Sequence, residues 1–151
     1  MKSPIGFPIN PNKWTIKATD TTGKLWSVTN AAGKSIHNPN GLSITIPKGL
    51  WEVRYKGQIQ IGYAGATVNE KYMKISLSGS STEIDGTTAV GIATTKDSLA
   101  RTTVNNDCGL YEETEAKTYY IVVYNEGTVA NNIYLFNDVN PTTIYAKCAY
   151  L

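Results

Sequence analysis

From Trp51 onward, every second residue of the segment WEVRYKGQIQIGY belongs to one apolar set. Val53, Tyr55, Ile59, Ile61 and Tyr63 alternate with Glu52, Arg54, Lys56, Gln58 and Gln60. Successive side chains of an extended strand point to opposite faces, so a period of two over residues 51–63 predicts one long strand, half buried and half wet. Gly57 is the one gap in the apolar face. A glycine inside a strand marks a bulge, a bend or the close approach of another segment. Such a strand needs a second layer over its apolar side, and this constrains the whole chain.

The remaining sequence follows the same rule. Windows long enough for a helix lack apolar residues at i, i+3 and i+4, and β-branched residues and tyrosine dominate instead. Strands are predicted at 14–19, 25–30, 42–46, 51–63, 71–78, 88–93, 100–105, 118–125, 132–137 and 143–150. Between them Gly, Asn, Asp and Pro cluster, as in AAGKSIHNPNG, SGSSTEIDG and NDVNP, and supply residues that tolerate positive φ or preset a turn. About ten short strands with regular turns point to an all-β antiparallel sandwich or jelly roll. The 151 residues suit one domain. Residues 1–12, punctuated by Pro4, Pro8 and Pro11, read as an extended N-terminal arm, and residues 13–151 as the domain.

The formal charge is +2, with lysines and arginines spread along the chain, so nothing calls for nucleic acid or an anionic lipid surface. No stretch approaches the ~20 apolar residues of a membrane span, and the N-terminus lacks the ~7–15-residue apolar run of a signal peptide. Membrane insertion is not expected. Cys108 and Cys148 could pair, but a chain of this length does not need the bridge.

Three late segments differ: two are apolar on both parities, and TIYAKCAYL adds Tyr145, Tyr150 and Leu151 to the same account. In 118–125, Tyr119, Ile121 and Val123 stand against Tyr120, Val122 and Tyr124, and Ile133, Tyr134, Leu135 and Phe136 repeat the pattern. A sandwich buries only the inner face of each sheet, so a second apolar face predicts cover by another subunit, a loop or the arm.

The order of these motifs resembles the tumour-necrosis-factor-like jelly roll shared with the complement globular heads. ITIPKGLWEVRYKGQIQI is similar to its strand, Pro-Gly turn and long strand, and YMKISLSGS to the next strand with its polar turn. TYYIVVYNEG resembles its aromatic central strand, and NNIYLFNDVNPTTIYAKCAYL its final hairpin. The resemblance spans roughly Trp14 to Leu151. It implies a ten-stranded jelly roll and a homotrimer whose axis is lined by Tyr120, Val122, Tyr124, Tyr134, Phe136 and Tyr145. Members in animals are secreted ligands, whereas similar domains in bacteriophages sit in tail fibres, baseplates or capsid spikes. The lack of a signal-peptide run, the Thr/Asn/Gly-rich composition and the Pro-rich arm favour the second group and a virion location.

Candidate chemistry is sparse. His37 is the only histidine, which excludes a one-chain site of several histidines, and no GxSxG elbow surrounds a serine. Glu112, Glu113 and Glu115 could pair as glycosidase carboxylates but read better as a solvated strand edge. Asp107 and Asp138, each beside asparagines, offer hard oxygens to calcium yet lack a full loop signature, so Asx turns are expected and no metal site is assigned. Phosphate-binding glycine motifs are absent, and no cofactor is expected. A sugar site would use an exposed ring beside polar side chains, which selects Trp14, Trp26, Asp107 and Tyr111 as ligand-binding candidates.

These readings combine into a non-catalytic bacteriophage virion protein, a trimeric jelly roll of the tail that recognises host-surface carbohydrate and contacts other virion proteins. The alternatives are a capsid decoration or head-fibre trimer anchored by its arm, and a monomeric carbohydrate-binding module of a larger enzyme.

Overall fold

The computed structural model describes residues 14–62, 70–95, 100–127 and 130–150. Its strands are β1 (Thr15–Thr19), β2 (Leu25–Ala31), β3 (Ile36–His37), β4 (Ser43–Ile46), β5 (Gly49–Gly62), β6 (Glu70–Ser78), β7 (Val90–Thr95), β8 (Ala100–Glu113), β9 (Lys117–Asn125), β10 (Asn131–Phe136) and β11 (Thr143–Tyr150). A short 3-10 turn at Pro39–Gly41 separates β3 from β4.

The strands form two antiparallel sheets. In the first, β8 pairs along one edge of β5, while β10 and β11 share the other edge end to end, opposite residues 58–62 and 50–56. β2 and β1 lie beyond them in the same broken fashion. In the second sheet β3 and β4 share one edge of β9, β6 takes the other, and β7 pairs with β6. Counting each broken strand once, both sheets are four ribbons wide. The first runs β1/β2, β10/β11, β5, β8, and the second β3/β4, β9, β6, β7. Apart from β6 and β7, which neighbour each other in one sheet, successive ribbons cross between the sheets, in the order of a jelly roll. The all-β jelly-roll expectation therefore holds.

Three details differ from the sequence reading. β3 was not expected, β7 lies two residues later, and β8 continues to Glu113, so that Asp107 and Tyr111 lie in a strand. The predicted arm and Tyr63 fall outside the described residues.

The core is the space between the inner faces. Trp51, Val53, Tyr55, Ile59 and Ile61 of β5 are buried, as are Met73, Ile75 and Leu77 of β6 and Ile121 and Val123 of β9. Each such aliphatic side chain contributes roughly 1.5–3 kcal/mol by leaving water. Tyr55 crosses this layer and directs its hydroxyl to the carbonyls of Thr88 at 2.7 Å and Ile75 at 3.0 Å, which ties the two sheets together.

The breaks in the two split ribbons of the first sheet coincide, and one polar knot closes both. Asp20 and Asn137 follow β1 and β10 respectively. Asn137 Nδ2 donates to Asp20 Oδ2 at 2.7 Å, Asn40 Nδ2 donates to the same oxygen at 2.8 Å, and the Thr22 amide donates to Oδ1 at 3.0 Å. Asn137 Oδ1 accepts from the amide and the hydroxyl of Thr142, both at 2.9 Å. Opposite this excursion stands Gly57. A Cβ there would lie 3.2 Å from Thr142 Oγ1, so the gap in the apolar face is a close approach.

Candidate functional site: the outer face of the first sheet

Residues paired in register across a sheet share a face, so the outer surface of the first sheet can be read row by row. One row is Lys17, Tyr145, Arg54 and Asp107, and the next is Thr19, Thr143, Lys56 and Asn105. Two further rows are Leu25, Phe136, Gln58, Thr103 and Ser27, Tyr134, Gln60, Arg101. The even-numbered polar residues of β5 thus alternate with three aromatic rings from β10 and β11.

Most of these rings carry a cation. The Arg54 guanidinium lies 4.9 Å from the Tyr145 ring centre and that of Arg101 3.8 Å from the Phe136 ring centre. Both distances are within the range of cation–π attraction. Arg101 also donates to Gln58 Oε1. Tyr134 and Phe136 neighbour each other with ring centres 6.2 Å apart. A cleft of about 320 Å³ opens beside Tyr145 and is lined by Lys17, Arg54, Lys56, Asn105 and Thr143, with Tyr55 beneath.

The six residues expected at a trimer axis divide between two surfaces. Tyr134, Phe136 and Tyr145 belong to the outer face of the first sheet, whereas Tyr120, Val122 and Tyr124 belong to that of the second. The sandwich stands between them, so they form no single patch. Val122 has no exposed surface within the chain itself and offers none to a partner, while Tyr120 and Tyr124 are half-buried.

The ligand candidates are likewise redistributed. Trp14 is 2% exposed and part of the core, which corrects its reading as an open platform. Trp26 faces inward opposite Leu135, packs against the core and lies 6.2 Å from the His37 ring. Tyr111 faces inward beside Tyr119, with ring centres 5.0 Å apart and edge to face. Burial, then the nearby Cys108, Asp85 and Glu113, hold its hydroxyl well above the ordinary tyrosine range. Asp107 alone lies on the outer face, where its Oδ1 accepts from the Gly109 amide at 2.9 Å, the expected Asx turn. Sequence reasoning missed the Arg54 and Tyr145 surroundings because neither strand reveals its lateral neighbour.

The arrangements that could support catalysis do not assemble among the described residues. The Ser35 hydroxyl donates to the Ala32 carbonyl at 2.6 Å, so His37 Nε2, 2.9 Å away, stands as donor to Ser35 and not as its base. Burial lowers the His37 pKa. Burial, reinforced by Asp107 and Asp85, pushes the Cys108 thiol up to about 12, far from the thiolate a nucleophile needs. Cys108 and Cys148 are not bridged to each other. Glu113 turns inward to accept from the Tyr119 hydroxyl and does not pair with Glu112. No group of three potential metal ligands occurs among the described residues.

No known family's sequence pattern matches the chain, and no curated protein matches it. Solved structures similar to it include carbohydrate-binding modules and viral proteins. The CBM22-1 xylan-binding domain of Paenibacillus barcinonensis Xyn10C matches with a TM-score of 0.41 and 13% identity, over 88% of this chain and 86% of that one. The infectious bursal disease virus Gt strain structure matches with a TM-score of 0.38 and 11% identity, over 91% and 36%. The arabinose-bound MgGH51 α-L-arabinofuranosidase matches with a TM-score of 0.39 and 8% identity over 85% of this chain, which spans 24% of the arabinofuranosidase.

Proposed function

We propose that this chain is a non-catalytic recognition domain that binds carbohydrate through the outer face of its first sheet, carried as a homotrimer on a bacteriophage virion, in the tail. The supporting observation is the row pattern on that face. Tyr134 stands in register with Gln60 and Ser27, Phe136 with Gln58, and Tyr145 with Arg54. Aromatic faces take the C–H side of a sugar ring, and flanking amides and guanidinium groups take its hydroxyls. An open sheet face suits an extended polymer more than a single small molecule. Three weak sites on one trimer would gain avidity through effective concentration. The virion placement and the trimer draw on the motif order described for the sequence.

The test is affinity electrophoresis of the purified domain through gels containing plant, bacterial and algal polysaccharides. At least one polysaccharide is expected to retard the wild type. Tyr134→Ala combined with Phe136→Ala should lose most of that retardation, whereas Lys74→Ala on the opposite face should keep it. Equal retardation of all three proteins would place binding elsewhere, and migration unaffected by any polymer would remove carbohydrate from the proposal.

A further inference from the structure

The cleft beside Tyr145 has a charge pattern that neutral sugar recognition does not explain. Its walls bring together Lys17 of β1 and Arg54 and Lys56 of β5, and no carboxylate lines it among the described residues. Two cations outside it have carboxylate partners. Lys74 pairs with Glu126 at 2.7 Å, and Lys117 approaches Glu113 at 3.7 Å. The nearest acid by register is Asp107, opposite Arg54; it does not line the cleft, and its Oδ1 accepts from the Gly109 amide. Three like charges around about 320 Å³ repel one another. An anion in the cleft would relieve that repulsion.

Arg54 is also held for such a role. Its guanidinium stands 4.9 Å from the Tyr145 ring centre. A guanidinium held over a ring still has N–H groups for a carboxylate or phosphate, which it can meet through two parallel bonds. Asn105 lies in register with Lys56 on the same wall and offers both a donor and an acceptor to a hydroxyl. The volume is at the lower end for ligand clefts, enough for one sugar or polyol unit.

Resting on the carbohydrate reading of this face, we propose that the Arg54 cleft binds the anionic group of an acidic polymer unit. That group is the carboxylate of a uronic acid or the phosphate of a polyol phosphate, held by Arg54, Lys17 and Lys56. The aromatic rows of β10 then take the neighbouring units.

The experiment is titration calorimetry of the whole domain with hexagalacturonate, a glycerol-phosphate hexamer and neutral xylohexaose, each at low and high sodium chloride. At least one acidic oligomer is expected to bind ten-fold or more tightly than xylohexaose and to lose that advantage at high salt. Arg54→Gln, and separately Lys17→Gln with Lys56→Gln, should abolish the advantage without changing the thermal melt. The acidic oligomer that shows the advantage identifies the group as carboxylate or phosphate. Xylohexaose bound as tightly as both acids would overturn the charge assignment and leave the carbohydrate reading standing. Acid binding undiminished by either variant would overturn the cleft, and no binding by any oligomer would remove both.

Discussion

At the scale of single residues, Gly57 shows how a gap in a pattern becomes a fitted contact. A Cβ at this position would lie 3.2 Å from Thr142 Oγ1, 3.4 Å from Thr142 Cγ2 and 3.5 Å from Ile75 Cδ1. The Thr142 hydroxyl donates to Asn137 Oδ1 at 2.9 Å, so it cannot turn away without losing a buried hydrogen bond. Gly57→Ala is expected to cost about 1–2 kcal/mol through overpacking, read as a lower urea midpoint. An unchanged midpoint would mean that the 137–142 excursion gives way freely. The strand pattern made the glycine conspicuous but could not say what approaches it. Trp14 and Trp26 show the converse limit. Their polar neighbours suggested exposure, yet on a strand a buried side chain normally has polar neighbours, because those point the other way.

At the scale of elements, the coincident breaks in β1/β2 and β10/β11 depend on Asp20. The residue is 4% exposed. Burial raises its pKa, but hydrogen bonds from Thr22, Asn40 and Asn137 outweigh this, and the net shift is downward. A carboxyl whose folded pKa lies below its unfolded value stabilises the fold above the unfolded value, near 3.9, and loses that contribution as pH falls through the folded one. Asp20→Asn would turn an amide nitrogen toward existing donors. It should cost about 1–3 kcal/mol at pH 7, with the gap to wild type closing below about pH 3.9. Urea melts at both pH values measure it, and a gap constant with pH would show that the charge is not involved. The same scale holds the main failures of sequence reading. β8 was expected to end at residue 105, because the cluster Asn105, Asn106, Asp107 and Gly109 has the composition of a turn. It is a bulge instead, with Gly109 at φ 85° and a register shift opposite Val53 and Arg54. The bulge inserts a residue, so Cys108 and Tyr111 both face inward and no period of two survives. β3, with two residues, is too short to carry a period at all.

At the scale of the whole molecule, the two outer faces divide the work proposed for this chain. If the first sheet binds ligand, the half-buried Tyr120 and Tyr124 of the second sheet, beside the exposed Tyr72 on the same face, remain for a subunit contact. Light scattering after size exclusion is expected to give three times 16.4 kDa, and Tyr120→Glu with Tyr124→Glu should reduce the mass to one chain. A wild-type monomer would remove the trimer, and an unchanged trimer in the variant would move the contact off this sheet. The topology also orders events before any partner is met. β11 lies between β1 and β5, and Thr19 meets Thr143 across 124 positions of sequence. Contacts so remote must close large loops before they return any stabilisation, which slows folding. On a ribosome β1 and β5 therefore emerge with open edges and stay open until residues 143–150 follow. For that interval the chain resembles a sheet missing its central strand, and is most exposed to pairing with a neighbouring copy.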